Sequence, residues 1–272
     1  MSQSSFGNKF KVTTWGESHG KALGAVVDGC PAGLSLCEED IQVFLDRRKP
    51  GQSKYTTARK EGDLVEILSG VFEGKTTGTP ISLMVRNTDQ RSRDYGNIAY
   101  SYRPGHADYT FDQKYGFRDY RGGGRSSGRE TIGRVAAGAI ASKILSELGI
   151  SICTYTKSIG PVEITTFDKE EINNNAFYMP DALTAAKAGE YLEECMKNQD
   201  SAGGVIECRI SGTPAGLGDP VFDKLNAVLA HALMSIGAVK AVEVGDGIAV
   251  TSLKGSTDND GFTVKDGEIV KT

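Results

Sequence analysis

In the pattern of apolar and polar positions, residues 10–15 and the apolar run 22–28 read as short strands. A glycine-containing connection joins them. Ser35-Leu-Cys-Glu38 has the spacing of a capping box, and Ile41, Phe44 and Leu45 fall on one helical face. That pattern predicts a helix running to about Arg48 and stopping before Pro50. Residues 64–68 and 80–85 read as strands on either side of a turn region at 70–78. Periodicity then vanishes from Asn87 to Gly128. It returns as a helix over about 129–148, whose small residues (Ala136, Ala137, Gly138, Ala139, Ala141) suit a central, closely packed position. A strand at 152–158, a helix at 182–197, a strand at 205–211, a helix at 220–234 with Asp219 near its start, and a strand at 238–244 complete the pattern. Strands and helices mix without a regular strand–helix period, which predicts an α+β fold and argues against a doubly wound sheet. No internal repeat is visible, and a single domain over residues 1–272 is expected.

The aperiodic stretch carries Tyr95, Tyr100, Tyr102, Tyr109, Phe111, Tyr115, Phe117 and Tyr120, too much aromatic surface for a disordered segment. Long irregular segments inside a compact domain are usually functional, so a functional loop system is expected. Composition agrees with a packed protein, at 39% hydrophobic and 24% charged residues. The formal net charge of −4 argues against general nucleic-acid binding, which rests on neutralising phosphates. Between Arg91 and Arg134, however, nine Arg and Lys face five Asp and Glu. A local positive region inside an acidic chain attracts a small anion, with an RNA-binding module as the competing reading. The five cysteines lack framework or metal-ligand spacing, so they are expected as buried free thiols and no metal site is expected. The polar N-terminus and the lack of a long apolar run predict a cytoplasmic protein with no membrane partner.

Three clusters carry candidate chemistry. In Gly16-Glu-Ser-His19-Gly20 a loop histidine sits between glycines; it suits either acid–base work or a merely structural role. Arg103-Pro-Gly-His106-Ala-Asp108 places a second histidine in a turn, whereas the third, His231, falls within a helix and reads as structural. Arg121-Gly-Gly-Gly-Arg125-Ser126-Ser127-Gly128-Arg129 runs into the start of a helix. Freed backbone N–H groups, hydroxyls, the helix dipole and arginine forks make it a candidate phosphate cradle. The alternative is a basic loop paired to its own carboxylates. Arg47, Arg48 and Lys49, at the end of the first helix, add further positive charge.

These strings resemble the chorismate synthase family. The resemblance rests on Gly16–Gly20, Leu45-Asp-Arg-Arg-Lys-Pro-Gly51, Asn87-Thr-Asp-Gln-Arg-Ser92, Arg103-Pro-Gly-His-Ala-Asp-Tyr109, Lys114-Tyr-Gly, Asp119-Tyr-Arg-Gly-Gly-Gly-Arg-Ser-Ser127 and Ala215-Gly-Leu-Gly-Asp-Pro-Val-Phe-Asp223. It implies central helices sandwiched between antiparallel β-sheets and a homotetramer. It also implies a lyase that eliminates phosphate from 5-enolpyruvylshikimate 3-phosphate, using reduced FMN without net redox change, with NADPH as a possible reductant. Carried over residue by residue, His19 matches the acid beside the departing phosphate and His106 the histidine serving the reduced flavin. Arg48, Arg103, Arg129 and Arg134 match substrate- and phosphate-binding positions. Arg125, Ser126, Ser127, Gly237 and Ala238 match flavin-contacting ones, joined by Arg48 and Lys54.

Lys54 stands where the family commonly has arginine, Gly128 replaces a usual alanine, and Ala241 a usual glycine. The family pattern also continues for about another quarter of its length, with further flavin-side motifs. These 272 residues are therefore expected to be an incomplete copy that binds FMN poorly and is inactive as isolated. The competing functional readings are an NADPH-dependent flavin reductase, marked by NADPH oxidation without the ester, and a truncated form retaining only the fold.

Overall fold

In a computed structural model, residues 4–55, 61–88 and 99–271 are described. Residues 89–92 of the Asn87–Ser92 string, and Tyr95, lie outside them. The chain divides into two compact units, Met1–Pro214 and Ala215–Thr272.

The first unit is built on a five-stranded antiparallel sheet. Its strands are β1 (Ser5–Phe6), β2 (Lys11–Gly16), β3 (Ala22–Asp28), β4 (Val65–Ile67) and β7 (Ile81–Arg86), in the order β1-β2-β3-β7-β4. Between β4 and β7, a small hairpin of β5 (Val71–Phe72) and β6 (Lys75–Thr76) occupies the region expected to be only a turn. Ile81, Leu83 and Val85 of β7 are buried while Ser82, Met84 and Arg86 are less so, as strand geometry requires of a sheet with one covered face. Their partners across the ladder are Val27, Ala25 and Leu23, also buried, so the register gathers one apolar face.

Two helices cover that face. Helix α1 (Glu38–Arg48) buries Ile41 and Leu45, while Phe44, expected on the same face, is 37% exposed. Its N-cap is Cys37, whose backbone N–H donates to Asp40 Oδ2 at 3.0 Å; the cap thus lies two residues after the expected Ser35, which instead bridges to Lys75. Helix α3 (Thr131–Glu147) packs against β2, β3 and β7 and also meets β8 of a second sheet, so it lies between sheets as the family pattern implied. Gly133 permits this closeness. A Cβ there would stand 2.8 Å from the Gly24 carbonyl oxygen and 2.9 Å from Thr14 Cγ2, too near for any side chain.

The aperiodic stretch contains structure that the sequence pattern did not show. Helix α2 (Asp108–Tyr115) ends on Gly116 at φ +80°, and short 3₁₀ turns at Gly124–Ser126 and Gly128–Glu130 lead into α3. Most of its rings face solvent, Tyr100 at 97% and Phe117 at 78% exposure. That explains the missing period, because a helix that buries few apolar side chains leaves no stripe to read.

The second sheet has the order β10-β8-β9, from β8 (Ser151–Ile159), β9 (Val162–Glu163) and β10 (Gly204–Ser211). Helix α4 (Ala182–Lys197) packs against β9 over a small core of Met179, Ala185 and Ala188. Asp181 caps α4, its oxygens accepting from the N–H groups of Thr184, Thr165 and Thr166 at 3.0–3.1 Å. Those hydrogen bonds hold its carboxyl well below the usual carboxylate range.

In the second unit, β11 (Gly218–Asp219) and β12 (Asp223–Lys224) form a hairpin that packs with α5 (Leu225–Met234). The expected helix start at 220 is thus corrected to Leu225, because the chain first turns back on itself to pair Gly218 with Lys224. Residues 238–244 form no strand; Ala238 at φ +69° takes the backbone out of the extended region. A short helix, α6 (Gly255–Asp258), and the hairpin of β13 (Phe262–Lys265) and β14 (Glu268–Lys271) follow. No described residue of this unit is buried, and His231 lies on an exposed face of α5. The cysteine expectation is corrected as well: only Cys30 is buried, while Cys37 sits at an exposed helix cap and Cys208 on the edge strand β10.

Candidate active site

The β2–β3 connection brings the first histidine inward. Ser18 and His19 are both buried, and the Ser18 hydroxyl lies 3.1 Å from His19 Nδ1 and 3.3 Å from the Gly122 carbonyl, to which it donates. The ring of His19 rests on Gly122 so closely that a Cβ there would stand 2.2 Å from Nδ1 and Cε1. Gly122 also sits at φ +63°, so both space and backbone require glycine. The glycine run is therefore the wall that His19 stacks against.

Asn87, at the end of β7, ties this loop to the α3 entrance. Its amide nitrogen donates to the Glu17 and Gly20 carbonyls at 3.1 and 2.8 Å. Its oxygen accepts from Arg129 Nε and Nη2 at 3.1 and 2.9 Å. Arg129 Nη1 in turn faces Asp63 Oδ1 at 3.1 Å, and Asp63 Oδ2 accepts from Arg48 Nη2 at 3.0 Å. The Asp63 side chain is completely buried, so two guanidinium groups from different elements converge on one carboxylate away from water. Arg48 also borders a cavity of about 260 Å³, shared with Arg47, Lys49 and Tyr178, with the Arg47 guanidinium 4.8 Å above the Tyr178 ring.

The other arginines divide by how they are balanced. Arg103 forks onto Asp108 with Nε and Nη2 both at 2.9 Å, and Arg118 reaches Asp112 at 2.6 Å. The Asp108 carboxyl is drawn down to about 2, chiefly by the Arg103 hydrogen bonds. Arg121 forks onto Asp119 at 2.8 and 2.9 Å, and Asp119 is held below its ordinary value by Arg121 first and further by His19. Each of these loop arginines thus meets a carboxylate close by in the chain, and Arg118 also lies 3.9 Å from Asp108. Two places differ. Arg48 and Arg129 share Asp63, while Arg125 and Arg134 share Glu130 at 3.6 and 2.8 Å. At each of these two places two guanidinium groups face one shared carboxylate.

The remaining expected residues are spread. Arg125 is turned toward β2, donating to the Gly16 carbonyl at 3.0 Å and to Thr14 Oγ1 at 2.6 Å. Ser126 donates to Gly123, and Ser127 Oγ accepts from the Arg129 backbone N–H. His106 is exposed, its Nδ1 3.1 Å from the Pro104 carbonyl, and Asp108 is engaged by Arg103 and Arg118. A Cβ on Gly123 would lie 3.3 Å from Arg103 Nη2, so the His106 loop borders the same glycine run as His19. Lys54 is exposed and paired with Glu193 of α4. Gly237 and Ala238 lie in the second unit. The positive φ of Ala238 costs about 1–2 kcal/mol for a residue with a side chain, and such strain collects at functional sites.

Sequence reading missed Asp63 and gave Asn87 and Ser18 no role, although both sit inside quoted motifs. The signal for Asp63 was faint: an acidic residue just ahead of a strand, with no hint in its neighbours that it would be buried.

Fold and site together define an α+β protein in which a buried histidine loop is tied to a network of arginines and a buried carboxylate. A sequence model of the family described as chorismate synthase matches residues 10–271. The chorismate synthase of Agathobacter rectalis is 68% identical over 273 residues, covering 100% of this chain and 74% of that protein. That of Lachnoclostridium phytofermentans is 65% identical and covered over 75% of its length. A crystal structure of chorismate synthase superposes with a TM-score of 0.81 at 34% identity, covering 97% of this chain and 76% of that one. The chain belongs to the chorismate synthase family, a family of lyases in aromatic biosynthesis.

Proposed function

We infer that this chain eliminates phosphate from 5-enolpyruvylshikimate 3-phosphate to give chorismate. The observation that carries the reading is the buried join between a histidine loop and two arginines sharing one carboxylate. As the C–O bond breaks, charge accumulates on the phosphate oxygens, and fixed cations in a water-poor site stabilise it without reorganising. Arg48 and Arg129 supply that charge, Arg134 adds to it from the first turn of α3, and Arg103 borders the glycine run.

His19 is the acid for the leaving phosphate. With the Ser18 hydroxyl donating to Gly122, its oxygen accepts from His19 Nδ1–H, which directs the transferable proton to Nε2. His106, on its open loop, serves the flavin side, where an exposed imidazole can exchange protons with water.

Reduced FMN, when bound, supplies an electron transiently, with no net redox change. The residues fit it in part. In the first unit, Ser126, Ser127 and the open backbone at Gly128 offer hydroxyls and close approach. Arg125 fits less well as a flavin fork, because its guanidinium is directed at β2. Lys54 is placed to add charge only at the surface.

One family model runs across both units, which supports a single family domain. No described helix is long and apolar enough to cross a membrane. The family pattern adds a homotetramer in the cytoplasm, with NADPH as a source of reducing equivalents. Anaerobic mixing of the chain with reduced FMN and the ester, following phosphate release and the flavin spectrum, tests the reaction. Release that needs both reduced FMN and His106 is expected; release indifferent to either, or none at all, contradicts the reading.

A further inference from the structure

We propose that Asp63 is a positioning residue for this reaction, aiming Arg48 and Arg129 at the substrate's anionic groups. The proposal rests on the ester-binding role given to those two arginines above. Asp63 faces both guanidinium groups, at 3.0 and 3.1 Å, and its own side chain has no exposure. Arg48 comes from the end of α1 and Arg129 from the turn before α3, and long side chains from separate elements do not share a direction by default. One buried carboxylate fixes both.

The carboxylate is itself fixed with unusual care. The Asp63 backbone sits at φ +45°, a left-handed conformation that Asp and Asn accept more readily than other side-chain-bearing residues. Gln42 of α1 grips the chain around it, its amide nitrogen donating to the Asp63 carbonyl at 3.3 Å and its oxygen accepting from Val65 N–H at 3.1 Å. Two residues earlier, buried Glu61 accepts from the Thr88 N–H and hydroxyl at 3.0 and 2.7 Å. Thr88 follows Asn87, the residue that holds the opposite edge of Arg129 and both ends of the His19 turn. The segment 61–63 therefore locks the two arginines and the histidine loop into one rigid frame. A carboxylate needed only to balance charge requires no such frame, since a mobile or exposed one balances charge equally well.

The two roles predict opposite signs. If Asp63 only neutralised charge, Asp63→Asn would remove one negative charge from beside the two arginines and bind an anion more tightly. If it positions them, the same change loosens their aim and weakens binding. Asn keeps the left-handed backbone and nearly the same shape. The test is calorimetric titration of wild type and Asp63→Asn with the ester at fixed salt, with circular dichroism to check the fold. Positioning predicts affinity about tenfold or more weaker in a folded variant. Equal or tighter binding overturns the proposal.

Should Asp63→Asn fail to fold, Asp63→Glu decides, because it keeps the charge but moves the carboxylate by one methylene. Weakened ester binding in that folded variant supports positioning, and wild-type affinity overturns it. Failure of wild type itself to bind the ester overturns both the functional reading and this proposal. Wild-type binding with an indifferent variant overturns the proposal alone.

Discussion

The arginines of the Asp63 network and those of the aromatic loop answer the same problem of packed positive charge in opposite ways. In the loop, Arg103, Arg118 and Arg121 each meet a carboxylate a few residues away, and the surrounding rings face solvent. In the network, Arg48 and Arg129 come from distant parts of the chain onto one fully buried carboxylate. Local pairing stabilises a loop but cancels its field. Distant pairing costs desolvation and fixes side chains from separate elements against each other. The comparison teaches that a count of arginines along the chain does not tell which of them are tied locally and which are drawn together by the fold.

The sharpest way to break the comparison is to unpair the network. Arg129→Ala takes one of two partners from Asp63 and the guanidinium donors from Asn87 Oδ1, and a buried acceptor that loses a donor costs about 1–3 kcal/mol; urea unfolding should show a loss of at least that size, and a loss below that of any loop variant would refute the contrast. Gly122→Ala should be nearly as disruptive to function, for a different reason. Its Cβ occupies the place of the His19 ring, and misplacing a catalytic group by about 1 Å can cost roughly 10²-fold in rate. Wild-type turnover in that variant would show that His19 is not held against the glycine wall.

Asp108→Asn probes the loop. A folded-state value of about 2, set against an ordinary value near 3.8, corresponds to about 2 kcal/mol of stability at neutral pH. Because the folded value is the lower one, that contribution is full above about pH 4 and disappears as pH falls toward about 2. Urea midpoints of wild type and variant should therefore differ at pH 7 and converge near pH 2. Smallest in stability is His106→Ala: an exposed side chain outside any ion pair should shift stability by no more than about 0.5 kcal/mol while abolishing turnover. A large stability loss would place His106 in the fold rather than in the chemistry.

Much of the frame was legible in the sequence, and the failures have physical causes. Strand β3 and helix α4 fall where the sequence pattern placed them, because both signals are local. The β5–β6 hairpin was hidden inside a turn region, two residues to each strand. Helix α2 lacked an apolar stripe, and its one clear mark was the terminal Gly116. Residues 238–244 alternate like a strand but follow a left-handed Ala238, which the residue type does not announce. At the site, His19, Arg48 and Arg129 were recognisable from motifs. What joins them was not: the Asn87–Arg129 and Asp63–Arg129 contacts span 42 and 66 residues of chain, and no local pattern reports burial across such distances.

The most direct measurement compares wild type with His19→Ala in anaerobic phosphate release from 5-enolpyruvylshikimate 3-phosphate with reduced FMN. Proton delivery by a positioned side chain is worth about 10²–10⁴-fold, so the variant should release phosphate at least about a hundredfold more slowly while binding the ester with similar affinity. Release at the wild-type rate by His19→Ala would contradict the account, because the buried histidine and the arginine frame that holds its loop would then have no part in the elimination.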